Sequence, residues 1–275
     1  MSQRILALLR YLFGSLARSL SGLLYLILSL IFVYLFFLNH HTPDFDYYLL
    51  LLGALGAVLS FLATLSTANL ANQAISYPFL VRLPSRVEFL AAVMGSSLLF
   101  STALQWLAAL LATRGGVEMT IGQFLQLPPI WIALNVLASV MALHASDLAA
   151  AGWSRVTVYG VLTILLFGQT GAVTLSQWLG GRFLSLSNWF FQRGWSGLGN
   201  PFSNAANWFN VSGGDTIKSI LSFVFWPLKA TAESAQNNNL TPTQALAPAI
   251  LLLYATILFM LAADLFATKD LHLTE

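Results

Sequence analysis

Residues 20–38 read LSGLLYLILSLIFVYLFFL, nineteen positions without a charge. A helix needs roughly 20 mostly apolar residues to cross the hydrocarbon core of a bilayer. Five more segments have this character: 48–66, 88–112, 129–147, 156–174 and 246–267. Tyr48 to Ser66 carries no charge, and the last segment meets its first charge only at Asp264. The chain therefore reads as an all-α, polytopic membrane protein with six transmembrane helices. The whole of 1–275 forms a single transmembrane domain in this reading.

Composition agrees. Of the 275 residues, 57% are hydrophobic and 8% charged, where a soluble domain carries about a quarter charged residues. A water-facing surface with so few charges would be largely apolar and would aggregate. The net charge of +2 gives no sign of nucleic-acid binding. Cysteine is absent, which excludes disulfides, a thiol nucleophile and Cys-ligated metal.

The few cations set the orientation, because Lys and Arg near span ends favour the cytoplasmic side. With the N-terminus inside, the inner segments hold Arg4, Arg10, Arg18, Arg82, Arg86, Arg155 and Lys269. The short outer loops hold Arg114 alone. Both termini are thus expected in the cytoplasm of a cell (inner) membrane protein.

Residues 1–18 form an amphipathic helix lying in the membrane interface. At about 100° per residue, Gln3, Arg4, Arg10, Gly14, Ser15 and Arg18 share one arc. Ile5, Leu6, Leu8, Leu9, Leu12, Phe13 and Leu16 share the other, and Tyr11 falls on the polar side. A basic arc opposite a wide apolar one is the pattern of an interfacial helix. A signal peptide fits less well, since the apolar stretch after Arg18 is too long.

The stretch 175–245 is too polar to span and too aromatic for an ordinary loop. It holds Trp178, Trp189, Trp195, Trp208 and Trp226, five of the eight tryptophans. Trp favours the membrane–water boundary. Gly194, Gly197, Gly199, Pro201, Gly213 and Gly214 should break the stretch into short external helices. Ile217 to Leu228 is apolar but too short to span, so it is a candidate re-entrant segment. Asn210-Val211-Ser212 matches a glycosylation sequon of the kind that arises often by chance.

Chemistry-bearing groups are sparse. No Walker pattern is present, since Lys218-Ser219 follows Ile217 rather than glycine. His40 and His41 with Asp44 and Asp46 form either a metal site or a solvated loop. His144 and Asp147, three residues apart, share a helix face, as a hydrogen-bonded pair at a helix end or as a proton relay. Gln105, Asn135 and Gln169 are the polar groups within spans. Such amides usually bond a neighbouring helix, and a substrate path is the second reading. No ionisable residue sits at the centre of a span, which disfavours a proton-coupled carrier. Gly53, Gly56 and Ala57 mark span two for close helix packing. Ser85 and Glu88 have capping-box spacing, so a helix should start near Ser85 and run into span three.

The segment Leu83-Pro84-Ser85-Arg86-Val87-Glu88-Phe89-Leu90 resembles a segment of ABC-2-type permeases, membrane subunits of ABC exporters. There it follows the second span and leads into the third. Phe266-Ala267-Thr268-Lys269-Asp270-Leu271 is similar to the ending of that family. The interfacial helix, the six spans and the external helices between spans five and six fit its layout. Val93-Met94 stand where the family often has a lysine. The resemblance implies a non-catalytic permease subunit without cofactor, embedded in membrane lipid. Its partners would be a second permease copy or paralogue and separate ABC ATPase subunits. It also implies that Arg82, Arg86 and Glu88, with the N-terminal helix, couple to those ATPases. The alternative is a non-transporting scaffold subunit, with the aromatic stretch as its docking surface.

Overall fold

A computed structural model describes residues 2–39, 44–71, 85–117, 119–148, 153–236 and 245–268. They are helical with short connections, and no strand occurs among them. Five of the described helices are long and apolar enough to cross a membrane: Leu20–Leu38, Phe45–Ala71, Arg86–Gly115, Ile121–Ala145 and Ala247–Thr268. These agree with five of the expected spans. The fifth expected span, 156–174, lies inside a longer helix, Trp153–Gln192. The chain divides into two compact units, Met1–Val158 with Ala230–Glu275, and Tyr159–Lys229.

The first unit opens with α1 (Ser2–Arg18). Leu8, Leu12 and Leu16, spaced one turn apart, are buried, while Arg4, Arg10 and Arg18 are exposed. Phe13 meets Phe100 edge-on at 6.0 Å. Ser19 then caps α2 (Leu20–Val33), accepting from the Gly22 amide at 3.1 Å, and the helix ends in a π turn, Tyr34–Leu38. α3 (Phe45–Ala71) runs antiparallel to α2. Tyr25 reaches Ser66 at 2.6 Å near one end, and Phe37 meets Tyr48 at 5.9 Å near the other.

α4 (Arg86–Ala112) is antiparallel to α3, joined by a ladder of polar contacts. The Thr64–Ser97 and Ser60–Ser101 hydroxyl pairs are each 2.7 Å apart. Gln105 Nε2 donates to the Leu52 carbonyl at 2.9 Å, and Tyr48 Oη to that of Ala109 at 3.0 Å. α5 (Ile121–Ala145) begins eight residues before the expected span, because Thr120 and Gln123 form a capping box. Pro128 and Pro129 lie inside it without ending it. Leu127, Ile130 and Trp131 are buried beside them, and that packing outweighs the local preference. Trp131 Nε1 donates to the Leu49 carbonyl at 3.1 Å, so α5 runs parallel to α3. The last described helix, α10 (Ala247–Thr268), is parallel to both. Its Phe266 stacks on Phe89, at the start of α4, at 6.3 Å.

The second unit is a helical hairpin. α6 (Trp153–Gln192) continues through it. The chain then turns at Gly194 and returns as α7 (Ser196–Trp208), a π turn (Phe209–Gly213) and α8 (Gly214–Val224). α9 (Trp226–Gln236) follows. Gly194 has φ of +76°, and the turn closes with Trp195 N donating to Phe190 O and Gly194 N to Phe191 O. This is the Schellman arrangement, in which glycine accepts a left-handed backbone at no steric cost.

Short helices do follow the turn, of 13, 11 and 11 residues in α7, α8 and α9, while 175–192 continues the long α6. Of the named breakers, only Gly194 stands at a helix end turn. A Cβ on Gly199 would lie 2.8 Å from Phe191, on Gly213 2.3 Å from Ser176, and on Gly214 3.4 Å from Val173. These glycines let two helices approach. Rings stack between them in series: Phe209–Phe183 at 5.2 Å, Phe183–Phe202 at 6.0 Å, Phe202–Phe190 at 5.3 Å and Phe190–Trp195 at 6.1 Å. Asn210 of the sequon sits inside the π turn against Gly180.

Candidate coupling face and intramembrane polar network

The α4 start is built as expected in part. Ser85 is the N-cap and accepts from the Val87 amide at 3.2 Å. Glu88 does not complete a capping box. Its side chain is buried at 5% exposure, and Oε2 has no hydrogen-bonding partner. Arg86 turns the other way. Its guanidinium donates to the carbonyls of Phe266 at 3.3 Å and Ala267 at 3.1 Å. The last carbonyls of a helix lack partners within the helix and carry partial negative charge, so a cation there is favourable. Arg86 thus closes the C-terminus of α10.

Hydrophobic packing joins α1 to the same place. Leu8 and Leu12 of α1, Phe89 and Val93 of α4, and Ala262 and Phe266 of α10 belong to one buried cluster. Three segments far apart in sequence therefore meet at one end of the unit. Arg82 lies outside the described residues, as do Lys269, Asp270 and Leu271.

His144 and Asp147 do not pair. His144, at 4% exposure, sits between Ser154 Oγ at Nδ1 and the Leu258 carbonyl at Nε2, both at 2.9 Å. A carbonyl only accepts, so Nε2 carries the hydrogen. Asp147 lies beyond the helix end and pairs with Arg155. The three-residue spacing failed because α5 stops at Ala145, which takes Asp147 off the helical repeat.

The amides within the spans form a network. Asn135 Nδ2 donates to Gln105 Oε1 at 2.7 Å, and Gln105 passes the chain to the Leu52 carbonyl. Gly56 makes room, since a Cβ there would lie 2.3 Å from the Gln105 amide. Gly53 similarly receives Trp131. Gln169 belongs to α6, and its side chain lies outside the described set. The hydroxyl ladder was missed by the sequence reading. Its signal was legible in Ser60, Thr64, Ser97 and Ser101, each pair one turn apart.

His40 and His41 lie outside the described residues, among which no group of three or more His, Asp or Glu could hold a metal. No protein-family model, curated protein or solved structure matches the chain. What the geometry offers is mechanical: polar bonds that fix three helices together, and one end where α1, α4 and α10 are tied.

Proposed function

We propose that the chain is the permease subunit of an ATP-driven ABC-type exporter, working as a dimer with separate ATPase subunits. One observation carries this reading. Arg86, Phe266 and Ala267, which belong to the two segments that resemble the family, meet through hydrogen bonds, with α1 packed on the same cluster. A force applied there by a cytoplasmic partner would reach α1, α4 and α10 together.

Parity supports an even number of spans with both ends on one side, and the cation placement puts that side inside. α5 and α10 both finish at the Arg86 end: Leu143 and Phe266 share a cluster there, and His144 bonds Leu258. Between α5 and α10 the chain must return to the opposite end, which takes an odd number of crossings. The apolar stretch 156–174 of α6 supplies one.

The test is a mild-detergent pull-down of the tagged protein from native membranes, with mass spectrometry. A stoichiometric ATPase carrying a Walker motif is expected, weakened when Arg82 and Arg86 are both changed to Ala. The same double variant should insert normally and transport less. One observation favours the scaffold alternative: Trp178, Trp189, Trp195 and Trp208 of the hairpin are exposed. Recovery of membrane proteins alone, in several detergents, would favour that alternative.

A further inference from the structure

Where α3, α4 and α5 meet, two oxygens one turn apart on α5 are sealed from solvent without a hydrogen-bonding partner: Asn135 Oδ1 and Ser139 Oγ. Their residues are 1% and 0% exposed. The amide orientations are fixed by logic. The Leu52 carbonyl only accepts, so Gln105 turns Nε2 toward it. Gln105 Oε1 then faces Asn135 and takes its Nδ2 hydrogen. Asn135 Oδ1 is left as an acceptor in need of a donor. Ser139, four residues on, lies on the same helix face. The hydroxyls of the α3–α4 ladder are matched to one another, Ser60 with Ser101 and Thr64 with Ser97. The other buried oxygens without partners, on the Asp46 and Glu88 carboxylates, belong to first turns.

We infer that Asn135 Oδ1 and Ser139 Oγ bind one internal water molecule. The ligand must donate to Oδ1 and exchange a hydrogen bond with a hydroxyl. It must also be neutral, because residues 47–71, 89–112 and 121–145 contain no Asp, Glu, Lys or Arg. A cation held by two neutral oxygens would lack any counter-charge. Water meets each condition, and buried waters typically make about two to four such bonds. The inference does not depend on the exporter reading. It makes the contact of α5 with its neighbours partly wet, where the α3–α4 ladder is direct.

The test uses the full chain in lipid nanodiscs. A high-resolution cryo-electron-microscopy map should show a peak about 2.7–3.2 Å from both oxygens. A map without it, with the Ser139 hydroxyl turned onto Asn135 Oδ1 or a carbonyl of its own helix, would overturn the inference. Ser139→Ala gives a second readout by its sign. If the hydroxyl holds water, the melting temperature should fall by about 2–4 °C. If the hydroxyl is simply unpaired, removing it relieves a buried unsatisfied group. An unchanged or raised melting temperature would therefore sink the proposal.

Discussion

At Gly56 one methyl group separates the observed core from a broken one. Placed 2.3 Å from the Gln105 amide, it would push that side chain off both the Leu52 carbonyl and Asn135. Overpacking costs about 1–3 kcal/mol and an orphaned buried polar group about as much, against roughly 1 kcal/mol gained from alanine's helix propensity. Gly56→Ala should therefore destabilise the protein by about 1–5 kcal/mol, read as a lower melting temperature in detergent. In a Gln105→Ala background the same change should cost less, because the clash is gone. Equal costs in both backgrounds would show that the two residues do not touch. The polar residues themselves stood out in the sequence, since amides within spans need partners. Their pairing did not, because helix rotation is set by packing rather than by local sequence.

Among elements, the hairpin departs most from what its sequence suggested. Glycines in a helix interior cost about 1 kcal/mol each, so a run of them reads as a set of breaks. Here Gly199, Gly213 and Gly214 are offset by close packing against Phe191, Ser176 and Val173, contacts that single-sequence reading does not reveal. Apolar length alone made the spans legible: Leu20–Leu38 agrees with the expected first span at both ends. α5 starts eight residues before the expected span, at the Thr120–Gln123 capping box, a signal the sequence reading did not use. Of the hairpin's glycines, Gly194 is the one with a left-handed backbone, with φ of +76°. Gly194→Ala should cost about 1–2 kcal/mol and act locally. Hydrogen exchange should speed up at the Gly194 and Trp195 amides, which close the turn. Those of α3 and α4 should be unchanged. Exchange as slow as in the parent chain would mean the turn is not left-handed.

For the molecule in its membrane, the length of α6 decides what lies outside. Its forty residues measure about 60 Å at 1.5 Å per residue, twice the roughly 30 Å hydrocarbon core. If 156–174 crosses, the remainder to Gln192 extends about 27 Å past the apolar layer, beyond the headgroup region. The tryptophans of the turn would then stand in water rather than in the interface. Sidedness is measurable cleanly, because the chain has no cysteine to remove. Single cysteines at Ala17, Arg114 and Ser185, all exposed, can be labelled in intact cells with a membrane-impermeant maleimide. Ser185→Cys and Arg114→Cys should react from outside, and Ala17→Cys only after permeabilisation. Should Ser185→Cys behave like Ala17→Cys, the stretch 156–174 does not cross. The return required by the parallel course of α5 and α10 would then have to fall between Gln192 and Ala247. That segment offers no uninterrupted apolar run of sufficient length, so such a result would count against six spans and against the permease layout built on them.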